Sequence, residues 1–421
     1  MPRGGRSRER SRRGHARFSL VTRTLLLLSG CLLGLVRPAP VWAQAADPVA
    51  DARLQLGPVG LTPRFALRDI GIDTNVFNAA GDPERDFTGT VAPGLDAAMR
   101  LGRLRLTSET TANWTYFHRL TSQRALNVEQ HARLDLDLLH VVPFVTGEYV
   151  RTRQRPNLEI DERVQQTRSG SGAGVLFRTG GRLELEAAVS RHQVDLGQTR
   201  FGNALLANAL NRESSEGAIT MWYEVTPLTR FVLRAATRYD RFDTSRVRDS
   251  DSISVEPGFE FSPSALFSGT ATLGVRRFET RADVAPDFTG LIASVNLKYV
   301  VRDMTRFVVE VRRDVEYSFE TDRPFFVSTM EALDVTQLVG YSWDVVGRVS
   351  FATLDYQHLL GPGLDLASRT DRRLGYGAGL GRRLGDDLRI GFDVDVVRRT
   401  SDLDARRFDG LRVGGSVTYG Y

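Results

Sequence analysis

The chain has 421 residues, with 56 Lys and Arg against 51 Asp and Glu, 39 glycines and one cysteine, Cys31. Nine arginines fall within residues 1–43 beside Glu9, so the remainder carries 47 basic and 50 acidic side chains, and a net −3 gives no case for nucleic-acid binding. Without a cysteine after position 31, that remainder has no disulfide scaffold, zinc ribbon, iron–sulfur site or thiol nucleophile.

The first segment is a leader. An arginine-rich stretch to Arg23, an apolar run over 25–36 and Val41-Trp42-Ala43 read as a secretory signal, residues 1–43, cleaved after Ala43 to release Gln44. Leu28-Ser29-Gly30-Cys31 also fits a lipoprotein cleavage box, but the chain stays apolar beyond it to Val36. Residues 44–62 are expected to form a short periplasmic tail. Beyond Val36 no stretch approaches the roughly 18 apolar residues that a membrane helix requires, so any crossing has to be made with strands.

From Leu61 onward, apolar side chains recur at every second position, the mark of a strand with one oily and one wet face. Along 182–189, Leu183, Leu185, Ala187 and Val189 oppose Arg182, Glu184 and Glu186. Phe231, Leu233, Ala235 and Tyr239 oppose Arg234, Arg238 and Asp240. Phe307, Val309, Val311 and Val315 oppose Arg306, Glu310, Arg312 and Asp314, and Leu388, Ile390, Phe392 and Val394 oppose Arg389, Asp393 and Asp395. Helical spacing would scatter these charges round the whole circumference; only a period of two sorts them.

About 18 such segments occur, with 16 also compatible, and their connections alternate between very short turns and longer polar loops. The short ones include 102–103, 179–181, 302–304 and 385–387; the long ones include 78–86, 152–163, 193–213, 281–287 and 358–370. Tight turns on one rim and extended loops on the other define an all-β, transmembrane, antiparallel up-and-down β-barrel over 63–421. Its last segment places Leu411, Val413, Val417, Tyr419 and Tyr421 at alternate positions, resembling the terminal strand of bacterial outer-membrane proteins that the barrel-insertion machinery reads. The expected location is therefore the bacterial outer membrane, with outer-membrane lipid against the oily face.

The charged set then lines the lumen. Arg182, Glu184, Glu186, Arg234, Arg238, Asp240, Arg306, Glu310, Arg312, Asp314, Arg389, Asp393 and Asp395 carry both signs, and burying so many charges dry would cost several kcal/mol each, so a hydrated channel is expected. Tyr116, Tyr223, Tyr239, Tyr299, Tyr317, Tyr376, Tyr419 and Tyr421 fall near strand ends, where their rings suit the membrane interface. Gly375, Gly377, Gly379 and Gly381 share one face and read as a bare patch of inner wall. The loop 193–213, with Asn203-Ala204-Leu205-Leu206-Ala207-Asn208-Ala209-Leu210, either folds inward as a constriction or caps the outer rim. Scattered histidines, the lack of a Gly-x-Ser-x-Gly motif, and carboxylates such as Glu184 and Glu186 standing two apart on a strand give no catalytic residue, metal site or cofactor.

The first two strands carry Gly71-Ile72-Asp73-Thr74-Asn75-Val76-Phe77, then an acidic loop, then Val91-Ala92-Pro93-Gly94-Leu95. With the leader and the strand series, this resembles the putative β-barrel porin 2 family of bacterial outer-membrane proteins. The resemblance implies a channel for hydrophilic solutes or an accessory barrel in exopolysaccharide or capsule export, with polysaccharide export components or glycans as partners. It supplies no catalytic residue. The alternatives are a non-conducting structural or glycan-binding barrel and, less favoured, an outer-membrane enzyme.

Overall fold

The computed structural model describes residues 49, 52–263, 265–360, 368–385 and 387–420; the expected leader, its cleavage point at Ala43 and Tyr421 lie outside these residues. Eighteen antiparallel strands of 12 to 16 residues build one closed wall. In chain order they are β1 (Val59–Asp73), β2 (Asp86–Leu101), β3 (Leu104–Phe117), β4 (Ala125–Leu136), β5 (Val141–Gln154), β6 (Val164–Arg178), β7 (Leu183–Leu196), β8 (Arg212–Thr226) and β9 (Thr229–Phe242). The second half comprises β10 (Ser250–Phe261), β11 (Phe267–Thr280), β12 (Phe288–Val301), β13 (Thr305–Tyr317), β14 (Phe325–Val339), β15 (Trp343–Gln357), β16 (Arg369–Leu384), β17 (Leu388–Thr400) and β18 (Phe408–Tyr419). Every strand pairs with its neighbours in sequence, and β18 closes on β1 with Phe65 opposite Tyr419 and Ile72 opposite Val413. Closure removes both sheet edges, which hydrocarbon would not tolerate. The wall starts at Val59, ahead of the boundary expected at residue 63, and a short strand Leu54–Leu56 folds back along it.

Turn chemistry fixes the two rims. Arg302 and Asp303 hold φ of 51° and 55°, the left-handed pair of a type I′ turn closed by the Met304 amide donating to the Val301 carbonyl at 3.0 Å. The connections 102–103, 179–182 and 227–228 are short as well, while the longer 74–85, 155–163 and 197–211 leave the opposite rim.

Alternation sets the two faces of the wall. On β7 and β8, Val189 and Ile219 are 65% and 61% exposed on the outside, while Glu184, Glu186, Thr220 and Trp222 turn inward. Apolar side chains left bare in this way along strand after strand form the band that lipid covers. Inside, apolar packing is concentrated near the long-loop rim, where Ile160, Val164, Leu196, Leu206, Leu210, Phe242 and Phe319 form one cluster and Leu158, Phe326, Leu354 and Tyr356 another.

Candidate functional site: the lumen and its mouth

Inward charges stand two or four residues apart on their strands, beside charges on the adjacent strands, and opposite signs pair both along and across the strands. Arg230 donates to Glu184 at 3.0 Å and to Glu260 at 2.9 Å. Arg133 lies 3.8 Å from Glu186 and 2.9 Å from Asp135. Arg234 pairs with Glu216, and with Glu256 at 3.4 Å, while Arg238 holds Asp240 at 2.9 Å. Arg276 reaches Asp314 at 3.4 Å. On the opposite arc, Arg348 bridges Asp393 and, at 3.2 Å, Asp395, and Arg389 and Arg383 reach the fully buried Asp344 at 2.7 and 3.4 Å.

Of the side chains expected to line the pore, Glu184, Glu186, Arg234, Arg238, Asp240, Arg306, Glu310, Arg312, Asp314, Arg389, Asp393 and Asp395 stand on the inward face. Arg182 does not. It lies exposed in the 179–182 turn, because β7 starts one residue later than the alternation suggests. Tyr317 is a second correction: rather than marking the interface, it packs inside, with its ring 4.7 Å from Phe242 and its hydroxyl 2.5 Å from Ser250 Oγ. The glycine patch is bare for a reason the sequence does not show. A Cβ on Gly377 or Gly379 would strike the carboxylates of Asp395 and Asp393, and one on Gly381 would strike the Arg389 guanidinium. The missing side chains are the seats of the neighbouring charges.

The mouth is built by loop 155–163. It leaves β5, enters the lumen and reaches the far wall, where buried Glu159 accepts hydrogen bonds from Ser318 Oγ at 2.6 Å and the Phe319 amide at 3.1 Å. Arg399 of β17 donates to the carbonyls of Leu158 and Glu159 at 3.3 Å, to Asp161 at 3.1 Å and to Asp371 at 2.5 Å. Arg406 adds bonds to the Glu159 carbonyl and, at 3.4 Å, to Asp161. Arg369 secures the acceptor side, 2.8 Å from Asp371 and 2.6 Å from Glu320. The other end of the loop is held by Arg155, which donates to the Val76 carbonyl at 2.7 Å. Burial pushes the Glu159 carboxyl up to about 7, with nearby Glu320 adding to the rise and the Ser318 hydroxyl, the Phe319 amide and Arg406 opposing it.

The segment singled out from sequence, 193–213, lies on top of this loop. Its helix Leu206–Leu210 buries Leu206, Ala207, Ala209 and Leu210, and Leu206 and Leu210 join Ile160, Phe242 and Phe319 in one cluster. Phe201 stacks edge-on against Phe319 at 5.0 Å. It folds inward, as one of the two readings had it, but the chain that crosses the lumen is 155–163. A sequence signal for it existed: Leu158-Glu159-Ile160 places a carboxylate between two apolar residues in an otherwise polar connection. Among the described residues, no group of three or more His, Cys, Asp or Glu side chains is arranged to hold a metal ion.

The family described as "Putative beta-barrel porin 2" matches residues 53–421. The chain belongs to this family. It is thus a porin-like outer-membrane β-barrel. None of the curated proteins matches it. Among solved structures it is similar to a BenF-like porin from Pseudomonas fluorescens Pf-5, with 13% identity, a TM-score of 0.47, and coverage of 86% of this chain and 98% of that one. It is also similar to the outer-membrane protein opdK from Pseudomonas aeruginosa, with 11% identity, a TM-score of 0.45, and coverage of 86% and 98%. A third is OccK2 (OpdF) of Pseudomonas aeruginosa, with 14% identity, a TM-score of 0.45, and coverage of 86% and 96%.

Proposed function

We propose that this barrel is a passive outer-membrane channel for hydrophilic solutes, whose transit is limited where loop 155–163 crosses the lumen. The observation that carries this reading is the inner wall itself, a ladder of opposite charges along strands whose outer faces are bare hydrocarbon. Such a wall is stable only when wet or fully paired, and a wet wall around a closed barrel is a path for polar molecules. The two carboxylates standing two apart on β7 are engaged by cations, Glu184 by Arg230 and Glu186 beside Arg133, an arrangement that favours transport over catalysis. Export of exopolysaccharide or capsule through the same path, as the family resemblance implies, is the narrower form of this proposal.

A non-conducting barrel that binds glycans with its outer loops is the second reading, favoured by the complete burial of Ile160 and Leu206 at the mouth. Planar-bilayer recording separates the two. The channel reading expects stepwise currents from the folded protein and larger steps from the Leu158→Gly, Ile160→Gly double variant, which loosens the crossing loop. Silent bilayers with both proteins would leave the binding barrel as the better account.

A further inference from the structure

Where loop 155–163 returns to the wall at β6, Arg163 lies inside the barrel with its guanidinium carbon 4.9 Å from the centre of the Phe117 ring. Its neighbours in the electrostatic sense are Arg153, Arg155 and Arg412, and the acid nearest in effect is Asp73. That acid is already held by Arg412 at 2.8 Å. Arg155 spends its donors on the carbonyls of Asp161 at 2.8 Å and Val76 at 2.7 Å. The Nε and Nη2 atoms of Arg163 and the Nε of Arg153 are buried without a hydrogen-bond partner. A buried charged donor left unpaired costs more than an ordinary lost hydrogen bond, and native folds rarely keep one without a use. The crowding is electrostatic as well: burial and three like charges bring the Arg163 guanidinium down to about 10.

We propose that this arginine cluster, bounded by loop 155–163, Phe117 and the β18–β1 seam, binds the carboxylate or phosphate group of an anionic solute at the mouth of the barrel. The planar fork of Arg163 supplies two parallel N–H donors, Nε and Nη2, to a two-oxygen anion, and the guanidinium lies over the Phe117 ring. The contrast with the adjoining strand supports the assignment. On β17 and the loop after it, Arg399 and Arg406 are matched by Asp161 and Asp371, whereas the four arginines here have Asp73 and, 3.7 Å from Arg412, Asp69. The inference deepens the channel reading by naming the charge class of the solute, and it rests on that reading for its physiological sense.

The test uses the full-length barrel folded in detergent and in planar bilayers. Calorimetric titration with trigalacturonate, citrate, inorganic phosphate and neutral maltotriose is expected to show binding of anions and none of maltotriose. The arms distinguish a sugar acid from a small carboxylate and from phosphate. Arg163→Gln is expected to weaken anion binding at least tenfold, and Arg163→Lys, which keeps the charge but loses the fork, to weaken it less. In bilayers under a salt gradient, the reversal potential of the wild type should favour anions and that of Arg163→Gln should shift toward zero. Absence of binding in all three anion arms overturns the proposal, as does unaltered affinity in folded Arg163→Gln. Should Arg163→Gln fail to fold, undiminished affinity in Arg153→Gln and Arg163→Lys together does the same. Anion binding by a barrel that never conducts would instead remove the channel reading and leave the site standing.

Discussion

Gly377 and Gly379 show how much a single missing atom does in this wall. Their hydrogens leave room for the Asp395 and Asp393 carboxylates to lie flat against β16, and from there both acids meet Arg348. The glycine run was legible in sequence as a bare strip because its period is two. Its purpose was not, because the acids lie 14 to 18 positions away and only strand pairing sets Gly379 opposite Asp393 and Gly377 opposite Asp395. Gly379→Val should therefore push Asp393 off its seat and lower stability by about 1–3 kcal/mol, the cost of overpacking with an ion pair disturbed. Ala378→Val, one residue along on the exposed outer face, should change it by less than about 0.5 kcal/mol. Urea unfolding midpoints of the two variants make the comparison, and equal midpoints would refute the steric account.

At the scale of elements, the crossing loop owes its seat to one buried carboxyl. Glu159 faces Ser318, Phe319 and Glu320 from the 318–324 loop and Arg406 from the 401–407 loop, with Arg248 and Tyr356 within electrostatic reach. Because its folded value lies near 7 against an ordinary 4.5, the seated loop holds its proton where a released loop has already lost it. The seat is undiminished below about pH 4.5, weakens as pH rises toward 7, and above that has lost on the order of 3 kcal/mol. Hydrogen exchange across 155–163, corrected for the intrinsic pH effect, should accordingly show stronger protection at pH 5 than at pH 8, and Glu159→Gln should flatten the difference. Protection in the wild type that does not vary with pH would dismiss the carboxyl as the sensitive group. Periodicity gives no hint of this loop's path, since a nine-residue connection carries no repeat and its partners Ser318 and Arg399 stand 159 and 240 positions from Glu159.

For the molecule as a whole, the period of two was enough to locate all the strands, because a membrane wall obliges each residue to choose between lipid and water. Leu104, Ala125, Val164, Ser250, Thr305 and Leu388, where runs of alternating apolar and polar residues begin, are the first residues of strands. The alternation begins less sharply at Arg64, Leu291 and Arg372, which fall three to five residues inside their strands. The two faces chosen this way imply a sharp asymmetry of tolerance at mid-strand. Ile219 stands midway along β8, outward, between Ala187 and Ala235, so an arginine there would sit in the hydrocarbon midplane at a cost of about 2–4 kcal/mol. Ala218, its neighbour in sequence, faces the lumen, where an arginine can reach water and the row of acids that includes Glu216. Folding into lipid vesicles, followed against urea, should find Ile219→Arg destabilised by that amount and Ala218→Arg by well under half of it. A reversed order would mean that the wall is turned inside out, with its charged ladder toward lipid, and no closed barrel in a bilayer survives that arrangement.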